Sequence, residues 1–361
     1  MASLPPLHIP AGAVANVKII ETTSRMKNLP LSDVLRPPMA GFERMPDLPS
    51  WSFLVESSAG QKVLYDLGTA KNWEDLPPTI VGWLKDQGWV IEVEKDMDEI
   101  LEENGVCVKD ISAIIWSHRH FDHLGDPTKF PSSTELIVGP GFKEAFCPGY
   151  PVREDSPVLE EHFKGRETRE ITFEESDGRT LMIGKLRGYD FFGDGSFYLI
   201  DTPGHCEAHI GAMARTTSNP DTFIFMGGDL CHYSGEIRPS PYLRLPAEIK
   251  VEDVQAKKTY MCPGSILEKV QTEDRGRKAD EPFFDPVSGD FDECIRTIKS
   301  TQEIEAHENV FFISAHDDSI LGVVDLFPKS ANGWKEAKWR DAVIWAFLKD
   351  FELVREQGNN S

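Results

Sequence analysis

The placement of the histidines constrains this chain more than any other feature. Of its ten histidines, five (His118, His120, His123, His205 and His316) fall just past short apolar runs rich in β-forming residues. A strand predicted over residues 113–116 runs into SHRHFDHLGD. One ending near Ile200 runs into DTPGHCEAH, one over 222–226 into GGDLCHY, and one over 310–313 into SAHDD. Asp122 and Asp229 share this placement. Strand ends open on a common rim of a sheet, so residues far apart in sequence can converge there. His118 and His120 are two apart and face one side of an extended segment. Asp122 and His123 then turn toward a second point.

The rest of the chain supplies the sheets. Residues 17–22, 135–138, 169–173, 180–183, 196–200 and 209–215 read as further strands, and 51–57 with 62–68 as a hairpin about the turn at 58–61. Helices are expected over 96–104, 142–146, 292–307 and 334–353. The order of strands, helix, strands and helix predicts an α+β sandwich of two mixed sheets with helices outside. One domain is expected over residues 1–361, its core running from about 14 to 354. Residues 71–93, 148–168 and 234–290, like 28–50, carry no clear period and read as loop insertions. Loops this long in a compact enzyme tend to be lids or binding walls. Trp73, Trp83, Trp89, Tyr150, Tyr233, Tyr242, Phe283 and Phe284 are candidates to line an apolar pocket there.

Composition excludes several partner classes. Lys plus Arg total 38 against 60 Asp plus Glu, a net charge of −22, and no basic run offers a nucleic acid or an anionic membrane a footprint. The six cysteines are scattered without a C-x-x-C pair and form no disulfide framework. Cys206 and Cys231 lie inside the histidine motifs and read as packing residues. The N-terminus lacks a signal-peptide pattern, and no stretch approaches the 18 or so apolar residues of a span. A cytoplasmic setting is the default expectation.

The run His118-Arg119-His120-Phe121-Asp122-His123 has the form H-x-H-x-D-H and resembles the metal-binding motif of the metallo-β-lactamase superfamily. The later motifs resemble the rest of that pattern: His205 in DTPGH, Asp229 in GGD and His316 in SAHD. The resemblance implies an αββα sandwich and two adjacent metal sites, the first held by His118, His120 and His205, the second by Asp122, His123 and His316, with Asp229 bridging. Two divalent ions are implied. Imidazole and carboxylate suit zinc best, and manganese, iron or cobalt also accept them. Asp66, in YDLG, matches a position that supports the metal loop. His8, His162 and His307 belong to no motif.

Position 120 is His where flavodiiron oxidoreductases carry Glu, and the complete second site departs from the persulfide dioxygenases. The segment TPGHCEAH is similar to that of N-acyl homoserine lactonases, with His209 as a supporting histidine. Length and the Pro-rich lead resemble fungal lactamase-like members. In the lactonases a tyrosine soon after the bridging Asp donates to the substrate carbonyl. Here that position falls on His232, with Tyr233 next, and either could stabilise an oxyanion. The implied activity is hydrolysis of a cyclic ester or amide by water activated at the metals, with Asp122 orienting that water and passing its proton to the leaving group. An acyl-thioester hydrolase is the alternative, and a non-catalytic metal-binding protein a more distant one. The expected partner is a small, apolar or aromatic substrate, and the sequence leaves oligomeric state open. Two dications against Asp122 and Asp229 can make the pocket electropositive within an acidic exterior, so the overall charge does not exclude an anionic substrate.

Overall fold

A computed structural model describes residues 2–254 and 256–358. Two sheets face each other. The first has seven strands, in spatial order Val90–Glu92, Asn16–Lys27, Leu48–Glu56, Lys62–Tyr65, Ile111–Ile115, Glu135–Val138 and Thr168–Glu170. Its N-terminal hairpins are antiparallel, and pairing turns parallel from Lys62–Tyr65 onward. The second has six, in order Val310–Ile313, Thr222–Met226, Ile210–Thr217, Phe197–Asp201, Leu186–Asp190 and Thr180–Ile183. All its pairs are antiparallel except Thr222–Met226 with Val310–Ile313.

Alternation builds the core. Along Asn16–Lys27 every second residue is buried for most of its length, so Val17 and Ile19 meet Phe53, Ile115, Leu199, Ala212 and Ile313 between the sheets. Tyr65 crosses the gap and donates its hydroxyl to the Ile210 carbonyl at 2.8 Å. Helix Met97–Glu103 starts at a capping box of Asp96 and Glu99 and packs with Phe142–Phe146 on the outer face of the first sheet. Helix Phe291–Glu305, capped by Asp290, covers the outer face of the second sheet through Ile298 and Ile304.

Three expectations are corrected. Residues 71–93 are not all loop: Pro78–Gln87 is a helix with Pro at its first position and left-handed Gly88 at its end. Residues 234–290 contain an antiparallel hairpin, Glu248–Asp253 with Lys258–Pro263, whose alternate residues Ile249, Val251, Tyr260 and Cys262 join a cluster with Phe283, Phe284 and Phe347. The helix expected over 334–353 is broken into Trp339–Val343, a 3-10 turn at Ala346–Asp350 and a helix from Glu352 to Gly358. The Ile344 carbonyl accepts from Arg238 at 3.0 Å and the Phe347 carbonyl from Tyr233 at 2.7 Å, which diverts both from the helical ladder. No helix among the described residues is long and apolar enough to cross a membrane.

Candidate metal centre

Four strands deliver the site to one rim. Ile111–Ile115 ends in Ser117 and His118, and His120 caps a one-turn helix over Phe121–Leu124 that carries Asp122 and His123. Phe197–Asp201 leads to His205, Thr222–Met226 to Asp229, and Val310–Ile313 to His316. The turn before Asp229 requires glycine: Gly228 has φ +52°, and a Cβ there would stand 2.9 Å from His209 Nε2.

The seven predicted ligands come together. Ligand atoms of His118, His120, His205 and Cys206 lie within 4.8 Å of one another, as do those of Asp122, His123 and His316. Asp229 stands between the groups. Its Oδ1 is 3.2 Å from Nε2 of both His123 and His316, and its Oδ2 is 3.5 Å from Nε2 of both His118 and His205. All except the half-buried His120 are buried. His118 Nε2, His123 Nε2 and Asp229 Oδ1 are buried with no hydrogen-bond partner among the described residues. An unpaired buried polar atom costs about 1–3 kcal/mol, and three aimed at one space fit a divalent cation, as does a donor set of imidazole nitrogen and carboxylate oxygen.

The charge states differ between the two groups, and an ion bound by His123 and His316 would displace a proton from each. Burial, with positive neighbours, pushes His118 and His205 well below their usual range, so both stay neutral. Burial and Arg119 lower His120 to about 3. Burial alone would raise Asp229, but His123, His316 and His118 hold its carboxylate well below its ordinary value. Burial opposes protonation of His123 and His316, yet Asp229 and Asp122 draw both upward.

Supporting contacts fix the rings. Asp66 Oδ2 lies 2.8 Å from His123 Nδ1 while its Oδ1 accepts the Ser117 N–H at 2.6 Å. His316 Nδ1 donates to the Pro49 carbonyl at 2.7 Å. His209 donates from Nδ1 to the Thr202 carbonyl at 2.8 Å and accepts the Asp229 N–H on Nε2 at 3.0 Å, so it orients Asp229 with both nitrogens occupied. Ser117 Oγ sits 2.9 Å from His118 Nδ1. Ser117 and Pro49 carried no sequence signal. Cys206 Sγ lies within 4.8 Å of the first group's ligand atoms, and burial pushes its thiol up to about 12.

His232 and Tyr233 part company. His232 lines the cavity, stacks on His316 at 6.0 Å and puts Nε2 3.6 Å from Asp229 Oδ2. Behind it Glu236, which burial raises to about 8, accepts the His232 N–H at 2.6 Å. Tyr233 points away. Its hydroxyl donates to the Phe347 carbonyl and meets Asp350 at 3.0 Å, and its ring packs on Phe42 and Phe284. Its role as an oxyanion donor is therefore corrected: the strand-like backbone at Tyr233 sends adjacent side chains to opposite faces.

The cavity above the site measures about 430 Å³. Met26, Leu29, Val34, Leu48, Ile80 and Trp83 form its apolar wall, and Trp89 meets Trp83 edge-on at 5.1 Å. Of the predicted lining aromatics, Trp83 and Trp89 take that place. Trp73, Tyr233, Phe283 and Phe284 pin the loops to the core instead, and Tyr242 bonds Glu303.

Comparison with known proteins agrees with this geometry. The family model described as metallo-beta-lactamase superfamily matches residues 45–216. The chain is 42% identical, over 98% of its length and 86% of the relative's, to gamma-lactamase FDB1 of Fusarium pseudograminearum. It is 38% identical over 98% of its length to cytochrome P450 monooxygenase mpaDE' of Penicillium brevicompactum, of which it spans 40%. Among solved structures, an N-acyl homoserine lactone hydrolase with the product N-hexanoyl-L-homoserine bound at its catalytic metal center superposes with TM-score 0.54 at 19% identity, covering 88% of this chain and 99% of that one. That likeness is one of fold. Together with the convergent histidines and the relative that matches nearly end to end, it places the chain in the metallo-β-lactamase superfamily, among its metal-dependent hydrolases.

Proposed function

We propose that the protein holds two divalent ions, zinc foremost, and hydrolyses a cyclic ester or cyclic amide. His118, His120 and His205 would hold one ion and Asp122, His123 and His316 the other, with Asp229 within reach of both groups. The observation that carries this reading is the position of Asp229, whose two oxygens face opposite histidine sets. The gamma-lactamase relative supports ring opening. Two bound dications supply an acidified water and a polarised carbonyl.

The protein's own groups do the rest. Asp122, with Oδ2 3.3 Å from His316 Nε2, orients the attacking water, takes its proton and returns it to the leaving oxygen or nitrogen. His232 donates from Nε2 to the oxygen that gains charge, with Glu236 holding its backbone. Met26, Leu29, Leu48 and Trp83 exclude water from the remainder of the substrate. The test is metal analysis of purified protein together with a panel of γ-lactones, γ-lactams and acyl-thioesters, before and after chelation. Two ions per chain and chelator-sensitive ring opening are expected. One ion, or hydrolysis of the thioesters alone, overturns the proposal.

A further inference from the structure

Arg119 lies between two predicted ligands, yet the metal site makes no use of it. Alternation along the extended segment turns it from His118 and His120, toward Phe146, whose ring centre is 5.3 Å from the guanidinium carbon. It lines the same cavity. It is half-buried, its Nε is buried without a hydrogen-bond partner, and its side chain forms no ion pair or hydrogen bond with any described residue.

Several other arginines drawn into the protein are matched to a carboxylate. Arg215 is paired with Asp221, Arg238 with Glu305 and Arg277 with Asp285. The cavity's Asp33 is engaged elsewhere, accepting the Trp89 Nε1–H at 3.2 Å. A partly desolvated guanidinium without an acceptor is costly, and its charge stands beside a centre that gathers dications. A carboxylate turns both penalties into attraction, because the planar fork of arginine matches it with two parallel hydrogen bonds.

We infer that Arg119 is a specificity-determining residue that binds an anionic group, a carboxylate, carried by the substrate at a distance from the bond being broken. The inference rests on the ring-opening reading and narrows it: the preferred lactone or lactam is anionic. The apolar wall with Trp83 and Trp89 holds the body of such a molecule while Arg119 holds its charge.

The probes are two 1-indanones, carbocyclic analogues of a benzo-fused lactone that cannot be hydrolysed, one bearing a ring carboxylate and the other a carboxamide. Each is titrated into the metal-loaded enzyme by tryptophan fluorescence. The wild type should bind the carboxylate about tenfold or more tightly, and the preference should shrink as salt rises. Arg119→Gln should bring the ratio to about one with metal content and carboxamide affinity unchanged, and Arg119→Lys should keep part of it. Equal affinities in the wild type, a preference that survives in Arg119→Gln, or equal weakening of both probes overturns the inference. Because binding is read without turnover, a surviving preference in an enzyme that opens no lactone would count against the proposed reaction and not against Arg119.

Discussion

Replacing Asp66 with Asn tests how far the centre depends on a residue that is not itself a predicted ligand. Asp66 is 1% exposed and each of its oxygens has one task, Oδ1 accepting from Ser117 N–H and Oδ2 facing His123 Nδ1 at 2.8 Å. A carboxylate only accepts, so His123 carries a hydrogen on Nδ1, and Nε2, once the proton that Asp229 draws to it has left, is the nitrogen free to meet an ion. Backbone strain does not confuse the experiment: Asp66 has φ +60°, a left-handed conformation that Asn tolerates as readily. In the variant, an amide that keeps its oxygen on Ser117 turns its NH2 toward His123. The imidazole must then carry its hydrogen on Nε2, where the ion binds. An amide that flips instead opposes its NH2 to the Ser117 N–H and leaves a buried donor unpaired, at about 1–3 kcal/mol. Either outcome should weaken metal binding about 10- to 100-fold, the range measured for supporting partners of metal-bound histidines. That is about 1.4–2.7 kcal/mol. Competition against a chelator of known affinity, with metal analysis and circular dichroism on the same samples, reads the effect. The ion held by His123 should be lost first. An Asn variant that is folded and retains both ions at wild-type affinity refutes the tautomer argument.

Further predictions separate neighbouring residues. His232→Ala should lower kcat about 100- to 1000-fold with metal content retained. Tyr233→Phe should leave turnover nearly unchanged and reduce unfolding free energy by about 1–2 kcal/mol, since its hydroxyl serves the Phe347 carbonyl and Asp350. Asp122→Asn should cut kcat about 100- to 10,000-fold while substrate binding changes far less; full activity with both ions bound would remove it as the proton carrier. His162 is buried against Trp116 and burial, aided by Arg166, lowers it to about 4. The unfolded chain therefore takes up that proton first, and stability should fall as pH drops from about 6.5 to 4, by up to about 3 kcal/mol from this residue. His162→Phe should flatten that part of the profile in urea unfolding; an unchanged difference between pH 7 and 4.5 would show that His162 does not cause it.

What was legible in the chain and what was not divides along sequence separation. Alternation exposed the strands of both sheets, because a two-residue period records one buried face. The helix over Pro78–Gln87 was signalled by its Pro and Gly boundaries and hidden by the internal Gly82 and by Trp73 and Trp89 on either side. The hairpin at Glu248–Asp253 and Lys258–Pro263 was hidden because only three apolar side chains and one cysteine mark its buried face. The break after Trp339–Val343 had no local cause: Arg238 and Tyr233, over a hundred residues away, take the carbonyls.

The candidate centre follows the same division. Local pattern narrows which histidines and aspartates can meet, because each follows a buried strand and all such strands end on one rim. How they are held and what faces them is a matter of packing between distant segments. Pro49 lies 267 residues from His316 and Asp66 57 from His123, and no local pattern records such a pairing. The same holds for His232 facing the cavity while Tyr233 turns into the core, and for an arginine left without a carboxylate. Local spacing sets the identity of the donors; long-range packing sets their tautomers, their charge and the shape of the space before them.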